Sequence, residues 1–274
     1  MSLLITDSHL TNICATCGTR YAKEKTALDN CFICNDERQY IGDEGQAWTS
    51  YDAIAKNRGI RFSQLQKNLY DLRLSPNFAI GQKAHFVVSP GGNILWDCLP
   101  FVDEQAVSFI ESKGGLKAIT ISHPHYYSLM VEWARIFDCK IYLHNNDSQW
   151  IMHPDDSIET FEGNEKILWD DIQIVHVSGH FAGSTVLLLP HHGNDGTLLT
   201  GDSIYVCRDR KQLSFMYSYP NLLPLPKRDI EYINQQVKNL PFDEIHGAFE
   251  WMNIPTDAKE KFNYSIKRYL EIYE

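Results

Sequence analysis

Apolar residues along this chain recur at spacings that predict first helices and then alternating strands and helices. Two runs within residues 43–75 have helical spacing, because their members recur every three or four positions. The N-cap of the first run would be Thr49 or Ser50, and Ser75 and Pro76 would end the second. The runs are Trp48, Tyr51, Ile54 and Ala55, then Phe62, Leu65, Leu69 and Leu72. We therefore predict a helical connector over this segment.

Beyond residue 80, short apolar stretches alternate with helical spacing. Residues 84–88 and 94–97 flank a Ser-Pro-Gly-Gly-Asn turn, which predicts a β-hairpin. This alternation predicts an α/β layered domain with mixed strands over residues 76–274. The further predicted strands lie at residues 118–121, 140–143, 172–177, 185–189 and 198–200. The further predicted helices lie at residues 107–113, 129–137 and 230–237, and after an N-cap at Thr256.

The composition narrows the class of protein. Of the 274 residues, 43% are hydrophobic and 22% are charged, which excludes a disordered chain, a collagen-like repeat and a coiled coil. The formal charge is −10, so we expect neither nucleic acid nor a membrane as partner, although Arg20, Lys23 and Lys25 form a small basic cluster. The sequence shows no apolar run of membrane-spanning length and no signal-peptide pattern at its start, so we expect a cytoplasmic protein.

Four of the seven cysteines form two Cys-x2-Cys pairs early in the chain. Thiols stay reduced in the cytoplasm, and two such turns can complete a tetrahedral thiolate site. A single pair could be a redox motif, but two neighbouring pairs favour a structural zinc ion. The pairs are Cys14 with Cys17 and Cys31 with Cys34. We predict a four-cysteine zinc ribbon over residues 1–42.

Histidine and aspartate residues occur where predicted strands end. His123 and His125 follow the strand at residues 118–121, and an extended backbone would point both to one side. Three further candidates, each next to a glycine, are His180, Asp202 and His246. Strand ends are where ligands and metals collect in layered α/β folds. These five residues therefore predict a metal site.

In order and spacing, these motifs, together with Asp97 at the end of the predicted hairpin, resemble the metallo-β-lactamase fold family of metal-dependent hydrolases. The resemblance covers about residues 76–274. It implies an αββα sandwich of two mixed sheets with helices on both outer faces and a metal site at one edge. It also implies roles: His123, His125 and His180 would hold a first metal, Asp202 would bridge two metals, His246 would bind the second, and Asp97 would orient a ligand histidine.

The loop after His125 departs from the usual pattern of that family, which is His-x-His-x-Asp-His. Here Tyr127 replaces the aspartate and Ser128 replaces the histidine. Neutral hydroxyls are weak zinc ligands beside imidazole and carboxylate, so we predict one well-held metal and a second site that is weak or absent. Zinc is the expected ion, with iron and manganese left open. Asp202 would hold or deprotonate a water, and Tyr127 would donate to an oxyanion or leaving group.

Residues 207–227, which follow Asp202, should border this site. They combine basic and aromatic side chains with three prolines. This composition is typical of a loop that recognises an anionic or aromatic substrate, and equally of a stiff connection whose aromatic residues cover the core. Both interpretations stay open.

The sequence as a whole predicts a mononuclear metal-dependent hydrolase. It would cleave a small ester, thioester or lactone through metal-bound hydroxide, and its small-molecule substrate could be anionic. The alternative is a catalytically eroded binding module that keeps the fold and uses the zinc ribbon to recognise a protein partner. Metal content and turnover would separate the two.

Overall fold

The chain folds around two face-to-face β-sheets with a small cysteine-rich module attached. The computed structural model describes residues 10–22 and 29–274, so Lys23 and Lys25 of the predicted basic cluster lie outside the described residues. Ile13–Cys14 (β1) and Trp48–Thr49 (β2) form the antiparallel sheet of the cysteine-rich module.

The first of the two large sheets has seven strands, which lie in the same order in the sheet as in the chain. The first four strands are mutually antiparallel, and the last four pair in parallel, so the sheet is mixed. The strands are Gly59–Gln66 (β3), Leu69–Ser75 (β4), Lys83–Val87 (β5), Ile94–Trp96 (β6), Ala118–Thr120 (β7), Lys140–His144 (β8) and Ile158–Phe161 (β9).

The second large sheet has six strands in the order β10-β11-β12-β13-β18-β19. Only β13 and β18 pair in parallel. Two small hairpins, β14 with β15 and β16 with β17, lie between β13 and β18 in the chain. The later strands are Glu165–Ile167 (β10), Gln173–His176 (β11), Thr185–Leu189 (β12), Thr197–Leu199 (β13), Tyr205–Val206 (β14), Leu213–Ser214 (β15), Met216–Ser218 (β16), Leu223–Pro224 (β17), Glu244–His246 (β18) and Asn253–Ile254 (β19).

Helices cover the outer faces of both large sheets, and an apolar layer lies between the sheets. Leu69, Trp96 and Leu187 are among the buried residues that pack between the sheets. Residues 51–55 form a short helix. Of the longer helices, two pack on the first sheet and two pack on the second. The helices are Tyr51–Ala55 (α1), Glu104–Glu111 (α2), Met130–Phe137 (α3), Lys227–Val237 (α4) and Ala258–Ile272 (α5). This is the αββα sandwich of two mixed sheets that the resemblance implied.

The predicted helical connector is wrong over residues 59–75, which form the β3–β4 hairpin of the first sheet. Asn68 has a φ of +67°, as tight turns often require, and it reverses the chain in the middle of the apparently helical run. Pairing of β4 with β5 then overrides the local spacing of the apolar residues. Ser50 does cap α1, because its side chain accepts a hydrogen bond from the Ala53 N–H.

Two other boundaries also differ from the prediction. The cysteine-rich module extends beyond residue 42, because β2 at residues 48–49 is the pairing partner of β1. The N-cap of α5 is Asp257 and not Thr256. The strands of the hairpin predicted at residues 84–88 and 94–97 are confirmed as β5 and β6.

The cysteine-rich module packs directly on the sandwich. The Arg20 guanidinium forms a buried ion pair with Glu132 on α3, and the Arg20 N–H donates to the Ser128 carbonyl. The Ala22 N–H donates to the Met152 carbonyl, also across this contact. Each helix in the described part of the chain is too short or too polar to cross a lipid bilayer.

Candidate metal centre

The four predicted thiolate ligands come together in the cysteine-rich module. Two sulfur–sulfur distances, Cys14 to Cys34 and Cys17 to Cys31, are each 3.8 Å, and all four side chains are buried. Zinc–thiolate bonds of about 2.3 Å in a tetrahedron separate the sulfurs by roughly 3.8 Å. The predicted four-cysteine zinc ribbon is thus confirmed as a group that could hold a metal ion.

A second group brings four of the predicted residues to one edge of the sandwich. His123 and His125 follow β7, His180 follows β11, and Asp202 follows β13. The ligand atoms of the four side chains all lie within 4.8 Å of one another. Strands from both large sheets therefore deliver this group.

The distances within the group fit a tetrahedral ion. His125 Nδ1 lies 3.3 Å from His180 Nε2, and His123 Nε2 lies 3.4 Å from Asp202 Oδ2. Ligands at about 2.0–2.1 Å from a tetrahedral zinc are separated by roughly 3.3–3.4 Å. His123 Nε2 is buried without a hydrogen-bond partner, as a nitrogen prepared for a metal would be. The donor set therefore fits a divalent metal.

Burial and neighbouring groups determine the protonation of His125, His180 and Asp202. Burial lowers the pKa of His180 to about 3 and that of His125 well below its ordinary value. Burial alone would raise the pKa of Asp202, but its electrostatic contacts with His123 and His180 and the hydrogen bond from Tyr126 outweigh that effect and lower the pKa. Neutral imidazoles beside an ionised carboxylate are the donor state that a divalent cation needs.

Asp97 is connected to His123 through a serine that sequence reasoning missed. The Asp97 Oδ1 atom accepts hydrogen bonds from the Ser122 N–H at 2.8 Å and from its hydroxyl at 2.7 Å. Since the hydroxyl proton is used for Asp97, the Ser122 oxygen accepts from His123 Nδ1, 2.9 Å away. This tautomer leaves the His123 Nε2 lone pair free for a metal.

Asp202 is held by two tyrosines. The Tyr126 hydroxyl donates to Asp202 Oδ1 at 2.7 Å, which leaves Oδ2 toward His123. The Tyr219 hydroxyl donates to the Asp202 carbonyl, also at 2.7 Å. These bonds fix both the carboxylate and its backbone.

Comparison with known proteins places this chain in a family. No protein-family model matches it. The uncharacterized protein YmaE of Bacillus subtilis (strain 168) is 40% identical over 263 residues, which cover 94% of this chain and 95% of YmaE. The chain belongs to the YmaE family.

Solved structures similar to this YmaE-family protein share its fold. DIM-1 metallo-β-lactamase aligns with a TM-score of 0.57 and 14% identity over 78% of this chain and 98% of that one. A metallo-β-lactamase from Erythrobacter litoralis aligns with a TM-score of 0.55 and 15% identity over 76% and 96%. The chain therefore has the metallo-β-lactamase fold preceded by a four-cysteine ribbon.

Three residues that sequence reasoning considered for the centre lie apart from its four-residue group. The His246 ring makes a contact of 2.9 Å through Nδ1 to Asn253 Oδ1, and its Nε2 lies 3.4 Å from Glu244 Oε2. The Ser128 hydroxyl accepts a hydrogen bond from Gln82. The Tyr127 side chain is buried in the core, and its hydroxyl forms no hydrogen bond with the residues that the structure describes. Tyr126, one position earlier, lies at the centre in its place and contacts Asp202.

Arg38 of the cysteine-rich module also reaches the centre, and sequence reasoning missed it. Its guanidinium forms a two-bond ion pair with Asp36, at 2.5 and 2.8 Å. The same group donates to the His180 carbonyl at 3.1 Å and lies 3.9 Å from the ring centroid of Phe181. The Arg38 guanidinium therefore connects the cysteine-rich module to the loop that carries His180, a candidate ligand.

Residues 207–227 border the centre through aromatic and backbone atoms. Besides Tyr219, the Met216 carbonyl accepts from His180 Nδ1 at 3.2 Å, which leaves Nε2 available to a metal. Among the basic side chains of this segment, Arg208 lies over the Trp251 ring at 3.4 Å. The segment thus supports the ligands, and the cation at the centre comes from the cysteine-rich module.

Proposed function

We propose that this protein is a metal-dependent hydrolase that uses one divalent ion at His123, His125, His180 and Asp202. The observation that carries the proposal is the agreement of the two ligand–ligand distances, 3.3 and 3.4 Å, with a tetrahedral ion. The family name of the fold neighbours, metallo-β-lactamase, supports hydrolysis as the reaction class.

A single metal ion is favoured because the second site lacks ligands. The positions that would complete it hold Tyr127 and Ser128, and His246 lies outside the four-residue group. Cleavage of phosphodiesters usually relies on two metals that clamp the phosphate. An ester, thioester or lactone is therefore the proposed substrate class. The four residues are at most 6% exposed, so the reacting group must be small.

The side chains around the ion would have separate roles in hydrolysis. A bound divalent metal supplies Lewis acidity and lowers the pKa of a water molecule toward neutrality. The three histidines would hold the ion and leave its fourth position open for water, and the ionised Asp202 beside that position would hold the attacking water and accept its proton. Tyr126 would keep Oδ1 occupied, so that Oδ2 stays directed toward His123. Asp97 and Ser122 would keep His123 in the productive tautomer.

Zinc is proposed at both centres, with a structural role at the four cysteines. Thiolate ligands select zinc strongly, whereas imidazole and carboxylate also accept iron or manganese at the second centre. Four free thiols in one site require a reducing compartment, which supports a cytoplasmic location.

The alternative is an eroded binding module that recruits a partner through the ribbon. The ribbon contacts of Arg20 with Glu132 and of Arg38 with His180 speak against it, because they use the ribbon surface within the chain. Three histidines and a carboxylate at metal-binding distances are also not expected in a module whose metal site has eroded.

Metal analysis combined with turnover tests the proposal. The purified protein should hold two equivalents of metal, and His123→Ala should hold one. Hydrolysis of a panel of thioesters, esters and lactones should depend on metal and disappear in His123→Ala. His191→Ala is the matched control, because His191 is an exposed histidine whose contact is Asp171. One equivalent of metal in the unmodified protein, or turnover that survives in His123→Ala, would contradict the proposal.

A further inference from the structure

Three positive side chains lie in one row across three neighbouring strands of the first sheet. Arg61 on β3 is paired with Arg73 on β4, and Arg73 is paired with Lys83 on β5. Paired residues project from the same face of a sheet, and like charges directly opposite each other are destabilising. The row is therefore unfavourable unless negative charge opposes it.

This row lines a cavity of about 590 Å³. The segment that follows β18 forms another wall, on which the Trp251 ring stacks with Phe249 at 5.1 Å and an interplanar angle of 6°. Arg208 lies over the Trp251 ring at 3.4 Å, so the aromatic pair holds a fourth cation at the cavity.

The carboxylates at the cavity do not balance these four cations. Glu250 Oε1 lies 2.6 Å from Arg73, and the buried Asp71 lies 3.7 Å from Arg73 and 3.8 Å from Lys83. Arg61 and Arg208 form no ion pair with any residue in the described ranges. Four positive groups against two negative groups leave a formal charge of +2. A phosphate group carries close to two negative charges at neutral pH.

Lys83 is the buried member of the row. Its side chain is 1% exposed, and its ammonium donates to Asn253 Oδ1 at 2.8 Å. An ammonium has three donors, so the carboxamide leaves donors unused. Burial lowers the pKa of Lys83 to about 8 although Asp71 opposes this effect, which indicates that its charge is incompletely compensated. An anion in the cavity would compensate it.

The cavity is linked to His246 by one side chain. Asn253 Oδ1 accepts from Lys83 and lies 2.9 Å from His246 Nδ1. His246 is the histidine that the family resemblance implied for a second metal, so Asn253 places the cavity beside that histidine.

We propose that this cavity binds the phosphate group of a small anionic ligand through Arg61, Arg73, Lys83 and Arg208. Guanidinium groups match the oxygen geometry of phosphate in two-bond contacts, and a lysine adds a point charge. This proposal does not rest on hydrolysis at the metal centre, because the cavity is built from residues outside that centre.

Calorimetric titration of the full chain with inorganic phosphate tests the proposal. We expect saturable binding that Arg61→Gln weakens by about tenfold or more, since a hydrogen-bonded charge is lost. Arg268→Gln removes the same charge from an exposed position on α5 and should bind phosphate as the unmodified protein does. Arg61→Gln should also keep or raise the melting temperature in phosphate-free buffer, because it removes a like-charge contact.

Further titrations locate the bound anion and identify its class. Phosphate must still bind His123→Ala, because binding lost there would mean that the metal centre holds the anion and would overturn the proposal. Titration with sodium chloride at equal ionic strength must not produce the heat of binding that phosphate produces. Tighter binding of succinate than of phosphate would overturn the phosphate assignment, and equal affinities in Arg61→Gln and Arg268→Gln would overturn the site.

Discussion

The Arg38 guanidinium donates a hydrogen bond to the backbone carbonyl of His180 at 3.1 Å, across 142 positions of sequence. Arg38 belongs to the cysteine-rich module, whereas His180 is a candidate ligand of the other centre. The side chain of Arg38 is 11% exposed and is held in place by Asp36. The fold of the thiolate module thus bears on the position of a histidine in the metal centre.

Arg38→Gln should weaken metal binding at the histidine centre while the four cysteines keep their metal. Loss of partners that orient ligands typically costs about 10- to 100-fold in metal affinity. Competition with a chromogenic chelator measures this affinity. Arg38→Lys should recover little, because an ammonium cannot make the two-bond pair with Asp36. Arg135→Gln, which removes an exposed arginine paired with Asp155, is the control. If both glutamine variants bind metal equally well, the role of Arg38 is refuted.

Ser122→Ala should lower metal affinity at the same centre. It removes the hydroxyl that accepts from His123 Nδ1 and links this ring to Asp97. The expected loss is about 10- to 100-fold, again as for ligand-orienting partners. Ser112→Ala, at the exposed end of α2, is the matched control. Retention of full affinity in Ser122→Ala would show that the His123 ring needs no support from Asp97.

Tyr126→Phe should reduce turnover, and Tyr127→Phe should not. Of these two hydroxyls, only that of Tyr126 bonds to the Asp202 carboxylate, at 2.7 Å, and a hydrogen bond to a charged group contributes about 1.5–3 kcal/mol. A loss of roughly tenfold or more in kcat/KM is therefore expected for Tyr126→Phe. Steady-state kinetics on one hydrolysed substrate compare the two variants. A larger loss in Tyr127→Phe would restore the assignment made from sequence.

The ligands could be predicted because their signals are local. Each of His123, His125, His180 and Asp202 closely follows a buried strand, and strand ends meet at one edge of the sandwich. The two Cys-x2-Cys pairs are equally local. These local signals identified nine candidate ligands, and the fold assembles all of them except His246 into two groups.

The remaining contacts could not be predicted because they depend on the direction of a side chain or on distant segments. His125 and Tyr126 lie in a 3₁₀ turn over Pro124–Tyr126, which aims Tyr126 at Asp202 while Tyr127 enters the core. The contact of Arg38 needs the docked module. Residues 59–75 had helical spacing, and only pairing with β5 makes them strands.

Asp147→Asn should gain stability relative to the unmodified protein as the pH rises. Asp147 is buried in the turn after β8, and its Oδ1 accepts from the Gly183 N–H at 2.7 Å. The close contact between Asp147 and residue 183 requires a glycine, because a Cβ at residue 183 would lie 2.7 Å from the Asp147 carboxyl carbon. Burial raises the pKa of Asp147 from 3.8 to about 7, although Gly183 and Arg38 oppose it. Asparagine keeps the acceptor without the charge.

The sign follows from proton uptake on folding. Between pH 3.8 and about 7, folded Asp147 binds more protons than the unfolded chain, so its contribution to stability falls as the pH rises through this window. An asparagine side chain does not titrate, so the variant does not lose stability in this pH window through residue 147. From pH 5 to pH 8, the free energy of unfolding of Asp147→Asn should therefore rise relative to that of the unmodified protein, by about 2–3 kcal/mol.

Urea denaturation at pH 5, 6, 7 and 8 measures the free energy of unfolding of Asp147→Asn and of the unmodified protein. The contributions of other titrating groups cancel in the difference between the two values. Asp155→Asn is the control. Burial alone would raise the pKa of Asp155, but hydrogen bonds from Ser157 and Arg135 outweigh it and lower that pKa. Asp155 is thus ionised in both states above pH 5, and its difference should stay flat. A flat difference for Asp147→Asn as well would mean that Asp147 is ionised in the folded protein at pH 5, and that the Gly183 contact and Arg38 compensate its burial.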